Sequence, residues 1–408
     1  MTTSWDCFDT LVARRKMVPS SVFDALGAKL GLPDFTARRM AAEARAPWTL
    51  KTIYDELAKD YQWTEEQKEA CKQAEVAEEI EHCCPINETI RLVKDGDLIV
   101  SDMYLPPAAI SAILAKNGLT QQVTLYVSTG GKSSGRIWPS LPPIDRHVGD
   151  NYHSDVLSPR AHGVEALHFT GSQMTKLEQE IGGDLALLMR VVRLANPYEP
   201  GSVLHTMWLE QSQLNIPALI LAALELPATG LAFMMRDCVH LQPIHEALWK
   251  EKNTAFHSSR LAMLNNNEAL EQHAREAALG RTVVDLHGSG QSITRYWREV
   301  FNEHPQVVYL SGHLPMGRVL ASGSHDCLER FNSSPLGSLS VFPQRKKCEY
   351  DERVTQCQAD ARDCAISHFD HFSFSTNLPL FQQLVHQMQA SITARANVHI
   401  ADHTLVLD

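Results

Sequence analysis

The stretch Trp5-Asp6-Cys7-Phe8-Asp9-Thr10-Leu11 ends a short apolar run, expected as a strand over residues 4–8, with an acid followed by a small, turn-prone tail. Working outward, the same arrangement recurs three times. Leu98-Ile99-Val100 runs into Ser101, the apolar residues 123–127 lead through Ser128-Thr129-Gly130-Gly131 to Lys132, and His147-Val148-Gly149 ends at Asp150, with Asp155 five residues later. A further apolar run is expected as a strand at 166–169. Helical patterns lie between these runs, among them residues 107–117. Short apolar strands alternating with helices are the pattern of a doubly wound α/β domain built on a parallel sheet. Residues 18–94 read as helical, with helices expected at 52–61 and 65–81. Inserted after the first strand, they would form a cap over the carboxyl ends of the strands, where such sheets bind ligands.

The four strand-end groups suit phosphoryl transfer. A carboxylate such as Asp6 can attack phosphorus and divide the reaction into two steps. The Ser101 hydroxyl and the Lys132 ammonium can hold non-bridging oxygens. Asp150 and Asp155 can hold a Mg²⁺ ion, which takes oxygen ligands and keeps several waters. Stabilising the charge that develops on the transferring group is most of the catalytic task.

These residues resemble the haloacid-dehalogenase (HAD) superfamily, and more closely a subgroup of hydrolases with an Asp-x-Phe-Asp-Thr-Leu opening, here Asp6 to Leu11, and a Ser-Asp-Met-Tyr-Leu-Pro second motif, here Ser101 to Pro106. Gly149-Asp150-Asn151-Tyr152-His153-Ser154-Asp155 is similar to the final acidic motif. Arg38 to Glu43 and Thr52-Ile53-Tyr54 are similar to the helical cap. The resemblance covers residues 1–170. It implies Asp6 as nucleophile, Ser101 and Lys132 as phosphate holders, and a Mg²⁺ site of Asp6, Asp150 and the Phe8 carbonyl, with Asp155 in support. One departure matters: Phe8 stands where family phosphatases carry an Asp that acts as general acid and base, a contribution commonly of about 10²–10⁴ in rate. Three readings stay open. Asp9 or a cap residue such as Glu43 supplies the proton, or the leaving group needs none, or the site binds without efficient turnover.

A second α/β pattern follows the helical stretch 175–193. Strands are expected at 232–235, 254–257, 282–286 and 307–310, and the apolar stretch 216–235 reads as a buried helix, a turn and a strand. Val283-Val284-Asp285-Leu286-His287-Gly288-Ser289-Gly290-Gln291-Ser292 is an apolar strand, a small-residue loop and a helix start. Backbone amides at such a helix start can cradle a phosphate, and Asp285 can take ribose hydroxyls. The segment resembles the phosphoribosyl-diphosphate (PRPP) motif of type I phosphoribosyltransferases, with Val284 where the first of two acids would stand. Arg236-Asp237 falls where those enzymes carry a diphosphate-binding turn, and Ser259-Arg260 where they carry a mobile loop. His287 reads as a satisfied structural histidine. The resulting division is residues 1–170, 171–345 and a mostly helical extension, 346–408.

Together these readings give a phosphohydrolase for a small phosphorylated metabolite, coupled to a half that binds or transfers a phosphoribosyl group. The rival is a regulatory module sensing a nucleotide or PRPP. A net charge of −11 over 408 residues argues against a nucleic-acid-coating surface. No segment reads as a signal peptide or membrane span, and the nine cysteines are expected as reduced thiols in the cytoplasm. Cys348, Cys357, Cys364, His368 and His371 lack the close pairs of a zinc site, and Cys83-Cys84 reads as packing.

Overall fold

The computed structural model describes residues 2–46, 49–312, 317–323, 327–347 and 351–404, with side chains described as far as residue 393. The chain divides into two compact units, Met1–Glu199 and Pro200–Asp408.

In the first unit, strands β1 (Thr3–Trp5), β2 (Leu98–Asp102), β3 (Thr124–Ser128), β4 (Arg146–Gly149) and β5 (Glu165–His168) form one sheet in the order β3-β2-β1-β4-β5. Every pairing is parallel. The chain steps outward from β1 in one direction and then in the other. The crevice between β1 and β4 is therefore the switch point at which open α/β sheets bind ligands. Between β1 and β2 come five helices among the described residues, Ser20–Leu30, Phe35–Arg45, Leu50–Tyr61, Glu65–His82 and the four-residue Asn87–Ile90, the third and fourth close to the expected spans. Thr49 and Thr64 close capping boxes at the starts of these two. The region is not helical throughout, as the sequence suggested: Val12–Arg14 and Cys83–Pro85 pair as an antiparallel ribbon at the base of the insertion.

The first compact unit extends to Glu199, where the sequence division was placed at 170. Helices Lys176–Ile181 and Gly183–Leu194 belong to the first unit because Arg190 anchors the second of them there. Fully buried, Arg190 donates to the carbonyls of Ser172 (2.6 Å) and Arg14 (3.1 Å) and to Asp9 (2.9 Å).

The second unit carries another all-parallel sheet, of β6 (Leu231–Met234), β7 (Thr254–Phe256), β8 (Thr282–His287), β9 (Gln306–Gly312) and β10 (Arg318–Ser322), ordered β10-β9-β8-β6-β7. Its switch point lies between β6 and β8. The first four strands match the expected ones to within two residues at either end, and β10 is an addition. The expected extension is helical, Glu352–Ile366 and Leu378–Thr404, but it is part of the second unit rather than an appendage. Helix Ile216–Leu224 is buried along nearly its whole length and needs cover. Phe381, Leu384, Val385 and Met388, spaced to share one helical face, are fully buried and help supply it. No helix among the described residues is long and apolar enough to cross a membrane.

Candidate functional sites

Register builds the first site. Trp5 is level with Ile99 on β2 and with Val148 on β4, so the next residue, Asp6, lies level with Val100 and Gly149. Ser101 and Asp150, each one residue further on, flank it. The Asp6 amide continues the ladder to the Val148 carbonyl (2.8 Å), and the Thr10 hydroxyl donates to Asp6 Oδ2 (3.3 Å). Carboxylate oxygens of Asp6, Asp150 and Asp155 lie within 4.8 Å of one another, a grouping able to hold a cation.

Lys132 enters the same cluster. Its ammonium donates to Asp6 and to the Val100 carbonyl (3.3 Å) and pairs with Asp155 (2.7 Å). The loop that brings it there is held by a residue the sequence reading passed over: Asp102 accepts from the amides of Lys132 (2.9 Å) and Ser133 (3.0 Å) and from the Ser128 hydroxyl. Ser158 closes the other side, donating to the Lys132 carbonyl (2.8 Å). Asp155 is placed by a π-helical turn, Tyr152–Leu157, in which the Asn151 side chain takes the first free amides. Its carboxylate packs so close to β4 that a Cβ at Gly149 would fall 2.4 Å from Asp155 Cγ. Only glycine fits there.

The electrostatics follow from this crowding. Burial pushes the Asp6 carboxyl up to about 6, against the opposing pull of Lys132. Burial and the neighbouring charges of Asp6, Asp9 and Asp155 raise Asp150 to about 7. For Asp155, burial is outweighed by the hydrogen bond from His147 (3.1 Å) and the charge of Lys132, which bring it down to about 2. Lys132 is held cationic: burial opposes its charge, but Asp6 and Asp155 more than compensate. The cluster therefore holds more negative charge than one ammonium balances, a demand that a divalent cation would meet.

Asp9 lies close enough for its charge to act on Asp150. It sits in the turn at φ +55°, and its Oδ1 accepts from Arg190 (2.9 Å). Glu43 likewise accepts from Arg39 (2.7 Å). Phe8 lies with its ring under the Arg14 guanidinium, 4.3 Å from the ring centroid.

The second site is a cavity of about 330 Å³ at the switch point of the second sheet. All the sequence-expected residues line it: Arg236, Asp237, Ser259, Arg260, Asp285, Gly288, Ser289, Gly290, Gln291 and Ser292. Ser259 has a structural task as well, capping helix Arg260–Leu264 and donating to the Leu339 carbonyl (2.6 Å). Arg236 is shared between Asp237 and Glu329 (each 2.8 Å). Gly288 lies against a ring that the sequence gave no reason to expect, where a Cβ would come 2.9 Å from Tyr309 Cε1. Two wall atoms are buried without a hydrogen-bond partner, Ser258 Oγ and His287 Nδ1. The expectation of a satisfied His287 is thus corrected. Such orphan groups are rare in folded proteins and point to a ligand.

Burial and the nearby charge of Asp237 push Asp285 up to about 8, Arg236 acting against them. An acid whose folded value is raised keeps its proton in the fold. Stability is then present at low pH and lost as pH rises from about 4, its ordinary value, through about 8. Asp285→Asn is therefore expected to gain on the wild type as pH rises, with a small gap at pH 5 and several degrees at pH 9, as read by calorimetry. A gap that does not change with pH would refute this.

Cys7, Cys71, Cys83, Cys84 and Cys238 are free, buried thiols. Cys348 of the declined zinc reading lies outside the described residues. Compared with models of known protein families, the chain matches none, and it matches no curated protein.

Proposed function

We propose that the first unit is a HAD-like Mg²⁺-dependent phosphohydrolase that acts on a small phosphorylated metabolite through an aspartyl phosphate at Asp6. The observation that carries this reading is the convergence of Asp6, Lys132, Asp150 and Asp155, from three separate strand ends, on one switch-point crevice. Asp6, Asp150 and the Phe8 carbonyl would hold the Mg²⁺, with Asp155 in support. When bound, the ion supplies neutralisation of the phosphoryl oxygens.

The chain's own groups do the rest. Asp6 is largely ionised above pH 6 and attacks phosphorus with one carboxylate oxygen, while the bond to the leaving oxygen breaks with its electron pair. Lys132 and the Ser101 hydroxyl hold the non-bridging oxygens, and Lys132 is kept charged by its two acids. Water then attacks the phosphorus of the acyl phosphate, and Asp6 departs as a free carboxylate. The test is a phosphate-ester panel with Mg²⁺ and Asp6→Asn as control. Binding without any release across the panel would select the regulatory module instead.

For the second unit, the two orphaned polar atoms favour a ligand with a phosphate and hydroxyls, PRPP or a nucleotide. The loop 288–290 and the first turn of helix Gln291–Phe301 would take the phosphate. Asp285 and Ser258 would take hydroxyls. Titration calorimetry with PRPP and with nucleotides, each with Mg²⁺, is expected to show binding that Asp285→Ala weakens about tenfold or more. Absence of heat with every ligand would leave the cavity a packing feature.

A further inference from the structure

Beside the phosphate site, the first unit contains a cavity of about 870 Å³, within the size range of small-molecule sites. Asp102, next to Ser101, and Gly130, two residues before Lys132, form part of its wall. Its other walls are mainly apolar: Phe23 and Met40 come from the cap, and Met103 and Tyr104 follow β2. The Phe23 and Tyr104 rings are fixed by the fully buried Arg39, whose guanidinium lies 4.5 Å and 4.9 Å from their centroids. At the rim, Val18 and Met40 leave 55% and 53% of their surface open to solvent. Large apolar side chains so exposed around one cavity mark a place where an apolar group is received.

The charged residues of the wall are all engaged. Arg14 is paired with Glu79 (2.6 Å), Glu43 with Arg39 (2.7 Å), and Asp102 with the amides of Lys132 and Ser133. Among the described wall residues, the one cation is already paired with a carboxylate, and both carboxyls already accept hydrogen bonds. Asp9 is engaged by Arg190.

From these features we infer that the site takes monophosphates whose leaving group is bulky, uncharged and apolar-faced and departs without a proton, as an aryl or enolic phosphate does. This rests on the phosphohydrolase reading of Asp6. In the step, the bond from Asp6 oxygen to phosphorus forms, the phosphorus–oxygen bond to the leaving group breaks, and the oxygen departs as a phenolate or enolate that later takes a proton from water. Alkyl sugar phosphates, whose alkoxide is a poor leaving group, and nucleoside polyphosphates, whose extra charge finds no partner, are disfavoured.

The experiment compares kcat/KM with Mg²⁺ for umbelliferyl phosphate, para-nitrophenyl phosphate, benzyl phosphate, acetyl phosphate and glucose 6-phosphate. The two aryl esters are expected to exceed benzyl phosphate, which has a ring but an alkyl leaving oxygen, by about 10² or more. They should exceed acetyl phosphate, which has a good leaving group but little to bury, by about tenfold. Ala44→Phe, at an exposed wall position, should lower the ratio of umbelliferyl to acetyl phosphate about tenfold. Turnover of glucose 6-phosphate or benzyl phosphate matching the aryl esters would overturn the inference. So would an Ala44→Phe effect equal for both members of that ratio. In each of those cases release would still depend on Asp6, and the phosphohydrolase reading would stand. If no compound shows Asp6-dependent release, that reading fails and this inference falls with it.

Discussion

Asp6→Asn is expected to lower Mg²⁺-dependent phosphate release by about 10⁴-fold or more, as losses of a covalent nucleophile do. The amide has the size and shape of the carboxylate but not its nucleophilicity, so the substitution separates chemistry from folding. The structure supports that separation. Asp6 shares Lys132 with Asp155, and the variant keeps the Lys132–Asp155 pair (2.7 Å) and the backbone bond from residue 6 to Val148 (2.8 Å). Removing one carboxylate from a cluster that crowds three relieves repulsion on Asp150. The melting temperature should therefore hold or rise while activity disappears. Wild-type turnover in the variant would show that another group attacks phosphorus.

Lys132→Met is expected to damage both stability and activity. The ammonium is 3% exposed and lies between two buried acids, Asp6 and Asp155. Deleting one side of a buried ion pair typically costs about 3–5 kcal/mol, because the partner is left uncompensated. For a unit of this size that corresponds to a fall in melting temperature of roughly 10 °C. The loss should depend on pH in a definite sense. Without the cation, the folded-state values of Asp6 and Asp155 move up, so the variant loses stability as pH rises and recovers part of it as pH falls and the acids take protons. A Lys132→Met protein as stable as the wild type at pH 8 would mean that this ammonium does not balance the acids. Added Mg²⁺ should restore part of the loss, since an ion that binds only the folded state stabilises it.

The residues that the sequence made visible are those whose place follows from a strand end. Asp6, Ser101, Lys132 and Asp150 each follow an apolar run, and parallel pairing sets strand ends side by side, so chemistry at those ends converges once the runs are recognised. The same logic exposed Asp237 and Asp285, at the ends of β6 and β8. Residues that act by reaching across the fold left no such mark. Asp102 looks like a turn residue until its carboxylate is seen gripping the amides of Lys132 and Ser133. Arg190, in an amphipathic helix that fits either core by pattern, decides both the unit boundary and the fate of Asp9. Tyr309 is one aromatic in a strand, and only the close approach of Gly288 gives it a role. Strand β10, Arg318–Ser322, alternates too weakly to read, and the ribbon Val12–Arg14 with Cys83–Pro85 pairs residues too distant in sequence for local pattern to join.

The absence of a proton donor at Phe8 was legible as a departure, and the structure sharpens its consequence. With Asp9 bound to Arg190 and Glu43 to Arg39, both carboxyls named above as possible proton donors are engaged, which on the proposed reading shifts the burden onto the leaving group. On that reading, the site would hydrolyse reactive phosphates quickly and stable ones slowly.

The central claim is that phosphate passes through Asp6. Rapid acid quench of the Mg²⁺-loaded protein during incubation with para-nitrophenyl phosphate, followed by peptide mass spectrometry, tests it most directly. A hydroxylamine-labile phosphoryl group on the peptide containing Asp6, absent from Asp6→Asn, is the expected result. Phosphoryl label on another residue, or steady release with Asp6 unmodified throughout the first turnover, would contradict it.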